Sequence, residues 1–142
     1  MTMMNLRGVL ARKLVLLISG LVAMGIATAI LFAPNGFYAA YEIELAGNTN
    51  LINELKAPAG MLFAAALLML AGVFRTQLIS LSLAVSAAVY LPYGLARLLS
   101  IALDGVPHNS LVGAAIFEIA VGTVCLLALI PGREGRIAHM TS

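Results

Sequence analysis

Charge is what this sequence has least of. Of its 142 residues only 10% are Asp, Glu, Lys or Arg, against about 25% in an average soluble domain. So few charged groups cannot cover a water-facing surface, which excludes a soluble globule. Cysteine is nearly absent as well. Cys125 stands alone, which excludes an internal disulfide framework and an intramolecular thiol–disulfide cycle. The net charge of +2 comes from scattered basic residues; with no basic patch, nucleic acid is not expected as a partner. No H-x-x-x-H, C-x-x-C or H-E-x-x-H spacing offers a metal site, and no G-x-x-x-x-G-K or G-x-G-x-x-G loop offers a phosphate cradle. No cofactor is expected. What the chain has in excess is apolar residues, 62% of the total, and that abundance excludes intrinsic disorder.

The apolar residues fall in long runs. A helix needs about 20 of them to cross a hydrocarbon core about 30 Å thick. Four segments qualify, at about residues 14–33, 57–74, 78–103 and 111–130. Leu and Ala dominate them and period-two alternation is missing, which argues against a β-barrel. Pro34-Asn35-Gly36 stops the first span and Pro131-Gly132 the last, while Asp104-Gly105-Val106-Pro107 separates the third from the fourth. Pro58 is expected in the first turn of the second span, where a missing N–H costs little. Only Arg75-Thr76-Gln77 joins the second and third spans, predicting a tight antiparallel pair. The outer loop, 34–56, is the one long connection. Its Phe37, Tyr38 and Tyr41 suit an interfacial aromatic belt, and residues 50–55 suit a short interfacial helix.

Arg7, Arg12, Lys13, Arg75, Arg133 and Arg136 fall on one side of such an arrangement. The positive-inside rule then makes both termini cytoplasmic. A basic start, an apolar run and Ala27-Thr28-Ala29 also resemble a cleaved signal peptide. The apolar run continues past that site through Ile30-Leu31-Phe32, however, and is long enough to span. His108 and His139 lie on opposite sides, so one haem cannot use both. The expectation is an all-α integral membrane four-helix bundle, one membrane domain over 1–142, multi-pass in a bacterial cytoplasmic membrane.

Ionisable groups inside a span are candidate functional residues by default. There are two, Arg97 and Glu118. Arg97 lies six residues before Leu103 and Glu118 seven after Leu111, so both Cα atoms sit about 9–10 Å below the same membrane face. They are expected to pair inside the bundle, with Tyr93 close enough to add a hydrogen bond. Tyr90, Tyr93, Arg97, Ser100 and Asp104 recur at spacings of three and four, which is one helical stripe. Pro92 is expected to kink this helix and turn the stripe inward. Ala114, Glu118, Gly122 and Cys125 share a face of the fourth span. Glu54, Lys56 and His108 are placed to reach the same region. The candidate binding cluster is therefore Arg97, Glu118, Tyr93, Tyr90, Glu54 and Asp104. Small-residue faces around Gly20, Gly25 and Gly60 invite close helix contacts, within the bundle or between copies.

Two blocks of this sequence resemble a known family. One is Asn53-Glu54-Leu55-Lys56-Ala57-Pro58-Ala59-Gly60, followed by Arg75. The other is Tyr93-Gly94-Leu95-Ala96-Arg97-Leu98-Leu99-Ser100, with Asp104-Gly105 and then Glu118. They are similar to the small four-span bacterial membrane proteins of the domain of unknown function 4345 family, over roughly residues 32–130. The resemblance implies a four-helix membrane fold and brings no activity, substrate or cofactor with it.

Two functional readings follow, beside a purely structural ion pair. In the first, a non-enzymatic membrane protein binds a small amphipathic or lipid-like ligand, or serves as an accessory subunit of a membrane complex. Its partners would be membrane lipids, a second copy or other membrane subunits. In the second, a small membrane enzyme acts on a lipid or isoprenoid, with Glu118 as acid/base and Arg97 holding an anionic group. A ligand site requires a cavity that reaches the pair, whereas a structural pair is closed on all sides.

Overall fold

Leu- and Ala-rich segments with no competing strand pattern fold as helices, and among the described residues, 3–130, there is no strand. In the computed structural model α1 spans Met3–Phe32, α2 Pro34–Ala39, α3 Thr49–Phe74, α4 Ile79–Asp104 and α5 Asn109–Leu129, with a 3-10 turn at Thr76–Leu78. Four of these, α1, α3, α4 and α5, are long and apolar enough to cross a membrane. Even α5, the shortest at 21 residues, extends about 31 Å. Pro131, Gly132, Arg133, Arg136 and His139 lie outside the described residues.

Helix starts differ from the sequence expectation, and local chemistry explains two of them. The Asn48 side chain accepts the Leu51 N–H at 3.1 Å and caps α3 well before Ala57. The expected interfacial helix is therefore the opening of α3 itself. Pro58 lies in the interior of α3, not its first turn, and leaves the Glu54 carbonyl without its intrahelical donor. Pro34 does end α1, but it then serves as the first residue of α2 across a break at Ala33, whose φ is −138°. The irregular part of the outer connection is thus only about residues 40–48, anchored by buried Leu45. α4 runs as one helix through Pro92, which sits on its exposed side. Gly105 ends α4 at a φ of 104°, a conformation only glycine adopts readily. His108 Nδ1 then accepts the Ser110 N–H at 3.3 Å and caps α5.

The helices associate as two close pairs, α1 with α3 and α4 with α5. The α3–α4 contact is present but less extensive, and α1 reaches across to α4 and α5. Leu16, Ile79, Leu83, Ala87 and Cys125 pack the end that carries the 3-10 turn. Ala23, Ala66, Met69 and Tyr90 form the next layer. Leucines and isoleucines on the outer faces, among them Leu67, Leu95, Leu99, Ile116 and Leu127, are exposed. An apolar exterior this extensive would drive association in water; hydrocarbon solvates it.

Close approach within the pairs depends on glycine. A Cβ at Gly122 would lie 2.7 Å from Leu91 Cγ and 2.9 Å from the Leu91 backbone nitrogen, and one at Gly94 would lie 3.1 Å from the Ile119 nitrogen. Gly20 meets Leu70 of α3 in the same way, so it is used inside the bundle, while Gly25 and Gly60 have nothing within 4 Å. Hydrogen bonds tie the two pairs together. Ser82 Oγ donates to the Leu68 carbonyl at 2.6 Å, and the Tyr90 hydroxyl donates to the Ser19 carbonyl at 2.6 Å. The Ser19 and Ser86 hydroxyls share a 3.3 Å contact.

This packing predicts an asymmetry among the glycines. Gly122→Ala forces α4 and α5 apart and should lower stability by about 1–3 kcal/mol. Gly25→Ala, into open space, should be neutral or slightly stabilising. Thermal unfolding in detergent distinguishes them, and equal effects at both positions would contradict the packing described.

Candidate functional site

The α4–α5 contact that Gly94 and Gly122 permit also sets the register of the two intramembrane charges. Arg97 lies about one turn beyond Gly94, and Glu118 about one turn before Gly122. Arg97 Nε donates to both carboxylate oxygens of Glu118, at 2.9 Å to Oε2 and 3.2 Å to Oε1. The Glu118 side chain is 11% exposed and that of Arg97 35%. A single nitrogen makes the whole contact. The two terminal amino groups of Arg97 donate to no acceptor among the described residues, although a guanidinium carries five N–H donors.

A cavity of about 320 Å³ lies beside the pair. It opens where the helices are no longer held by the packed layers below, at the end that carries α2. Ile26 and Ile30 of α1, Leu55 and Leu62 of α3, and Leu111 of α5 give it apolar walls. Arg97, Glu118, Tyr90 and Tyr93 supply the polar side. Phe37, Tyr38 and Tyr41 also line it. Phe37 meets the two tyrosine rings edge-on, at centroid distances of 5.3 and 5.4 Å, a favourable geometry for ring quadrupoles. Burial, with Tyr93 beside it, pushes the Tyr38 phenol above its usual range, against the opposing effect of the Arg97 cation. Tyr38 therefore stays a neutral hydroxyl, able to donate a hydrogen bond.

Of the six residues read from the sequence, four meet here: Arg97, Glu118, Tyr90 and Tyr93. Tyr93 lines the cavity but makes no hydrogen bond to the pair. Glu54 is exposed on α3 and stands apart from the cavity wall. Asp104 accepts the Ser100 hydroxyl at 2.9 Å on the exposed last turn of α4, also outside the cavity. His108 serves as a helix cap instead of joining the cluster. Among the described residues no three His, Cys, Asp or Glu side chains converge as a metal site. The sequence reading placed Phe37, Tyr38 and Tyr41 in an interfacial belt, whereas α2 turns them over the cavity. Pro34 as a helix-starting residue was the available signal for that turn. Ser82 and Ser86 were also passed over, although they extend the Tyr90 stripe at four-residue spacing.

Removing either member of the pair leaves a charge facing an apolar wall. Arg97→Leu and Glu118→Leu should each cost about 1.5–3 kcal/mol, less than a fully buried pair because Arg97 is partly exposed. The Arg97→Leu/Glu118→Leu double variant should recover much of the loss. A double-mutant cycle by thermal unfolding measures this, and additive losses would mean that the contact contributes no coupling.

Residues 11–129 match the family described as domain of unknown function (DUF4345). No curated protein and no solved structure matches the chain. The family match extends from the first turns of α1 to the last residue of α5, taking in every helix that builds the cavity, and the chain belongs to the DUF4345 family.

Proposed function

We propose that this chain is a multi-pass membrane protein that binds a small amphipathic, lipid-like ligand in the cavity between its helix pairs. One observation carries the reading: the Arg97–Glu118 pair is not closed off by side chains but borders about 320 Å³ of mostly apolar space, with two Arg97 amino groups unpartnered. Ligand sites have this composition, apolar walls with a few polar groups, and 320 Å³ falls at the lower end of their range of about 300–1,000 Å³.

The ligand reading is tested by native mass spectrometry of the protein extracted with its own membrane. A bound small molecule is expected on the wild type and should be lost from Ala114→Trp, which fills the cavity from α5. A wild type that never carries an adduct, under conditions where annular lipids are retained, would count against it.

We further infer that the membrane is a bacterial cytoplasmic one and that Arg7, Arg12, Lys13 and Arg75 face the cytoplasm, following the positive-inside rule. The cavity then lies in the outer half of the bilayer. Thiol labelling of intact cells should modify Asn48→Cys and spare Gln77→Cys, both in exposed turns. The reverse pattern would put the cavity on the cytoplasmic side.

A further inference from the structure

We propose that the ligand of this cavity is uncharged, an apolar molecule whose head accepts hydrogen bonds, and that Glu118 is the residue that excludes anions. This rests on the reading of the cavity as a ligand site and adds the charge of its occupant.

The first argument is charge. Among the described residues, Arg97 and Glu118 are the only Asp, Glu, Lys or Arg side chains on the cavity wall, and they cancel. Arginine at the edge of an apolar pocket ordinarily favours a carboxylate or phosphate. Here a carboxylate already holds that place, 2.9 Å from Nε. A second anion on the free amino groups would leave a net negative charge among Ile26, Ile30 and Leu62. Charge left unbalanced in such surroundings is costly. A neutral acceptor uses the same N–H groups and leaves the balance at zero.

The second argument is the direction of the available hydrogen bonds. The terminal amino groups of Arg97 are donors, and so are the phenols of Tyr38 and Tyr93, which line the same space and bond to no protein acceptor among the described residues. Arginine accepts nothing, so its two terminal amino groups require an acceptor from the ligand. A neutral oxygen acceptor, such as an ester carbonyl, supplies one and leaves the charge balance at zero.

Two probes that differ in little but charge test this: methyl decanoate and decanoate, at pH 8, with the protein in nanodiscs of zwitterionic lipid. Wild type should retain the ester in preference to the carboxylate by about tenfold, as expected for one uncompensated charge at a partly screened site. Glu118→Gln keeps an oxygen for Arg97 Nε but leaves the cavity with a net positive charge. It should reverse the preference toward decanoate. Tyr38→Lys adds a cation at the cavity mouth without touching the pair. It should shift selectivity the same way, and it keeps the test open should Glu118→Gln fail to fold. Comparing each variant with wild type cancels the different partitioning of the two probes into lipid. Decanoate bound by wild type as well as the ester, or selectivity unmoved in both variants, would overturn the proposal while leaving the cavity a ligand site. If neither probe bound any folded form of the protein, the reading of the cavity would fall with it.

Discussion

Helices surrounded by hydrocarbon gain little by hiding apolar side chains from one another, because lipid tails are as apolar as leucine. Cohesion has to come from close backbone approach and from polar groups that meet across helices. Glycine contacts hold α1 to α3 at Gly20 and α4 to α5 at Gly94 and Gly122, and Gly72 of α3 lets Ser82 of α4 approach across the pairs. Hydroxyl groups also join one pair to the other: Ser82 to α3, and Tyr90 and Ser86 to α1. All of these cross-pair bonds lie toward the end that carries the short 3-10 turn. Beyond Tyr90, toward α2, no hydrogen bond among the described residues ties the two pairs, and that is where the cavity begins.

Tyr90 belongs to both regions. Its hydroxyl ends the chain of contacts between α4 and α1, and its ring lines the cavity while meeting Phe117 edge-on at 6.0 Å. One turn further along the same stripe, polar groups change role. Tyr93 and Arg97 border space instead of filling it, and Arg97 bonds within its own helix pair, to Glu118. The ion pair thus reinforces the α4–α5 contact without closing the gap between the pairs.

The four spans were legible because hydrocarbon demands long apolar runs, and those runs are hard to mistake. Their starts were less so. Asn48 lies in a polar stretch that reads as loop, and only the capping bond to Leu51 reveals that α3 begins there. Arg97 and Glu118 could be paired from depth alone, since a short turn forces α4 and α5 into an antiparallel arrangement. Depth did not suffice for Glu54, because reaching the right level of a bundle does not determine the direction around the helix. Asp104 fails in the opposite way: it shares the stripe of Arg97 but lies about two turns further on, beyond the level of the cavity, where it accepts the Ser100 hydroxyl. That Phe37, Tyr38 and Tyr41 line the cavity was not legible, because an aromatic cluster at a membrane interface has an ordinary explanation in composition, and the cavity beneath it does not show there.

The turn between α4 and α5 also bears on how the protein enters the bilayer during synthesis. An arginine at the centre of a span carries an insertion penalty of about 2.5–3.5 kcal/mol; Arg97, nearer the end of α4, carries a smaller one, and a carboxylate in the next span carries its own. Arg97 and Glu118 are 21 residues apart in the chain, about one span's length. By the time α4 has been made, the residue that neutralises it is only just emerging. Partition into lipid as a hairpin, after α5 has followed, avoids exposing either charge alone. A longer connection in place of Gly105 to His108 would lengthen the interval in which α4 waits with its arginine uncompensated, a burden on biogenesis even if the finished bundle were unchanged.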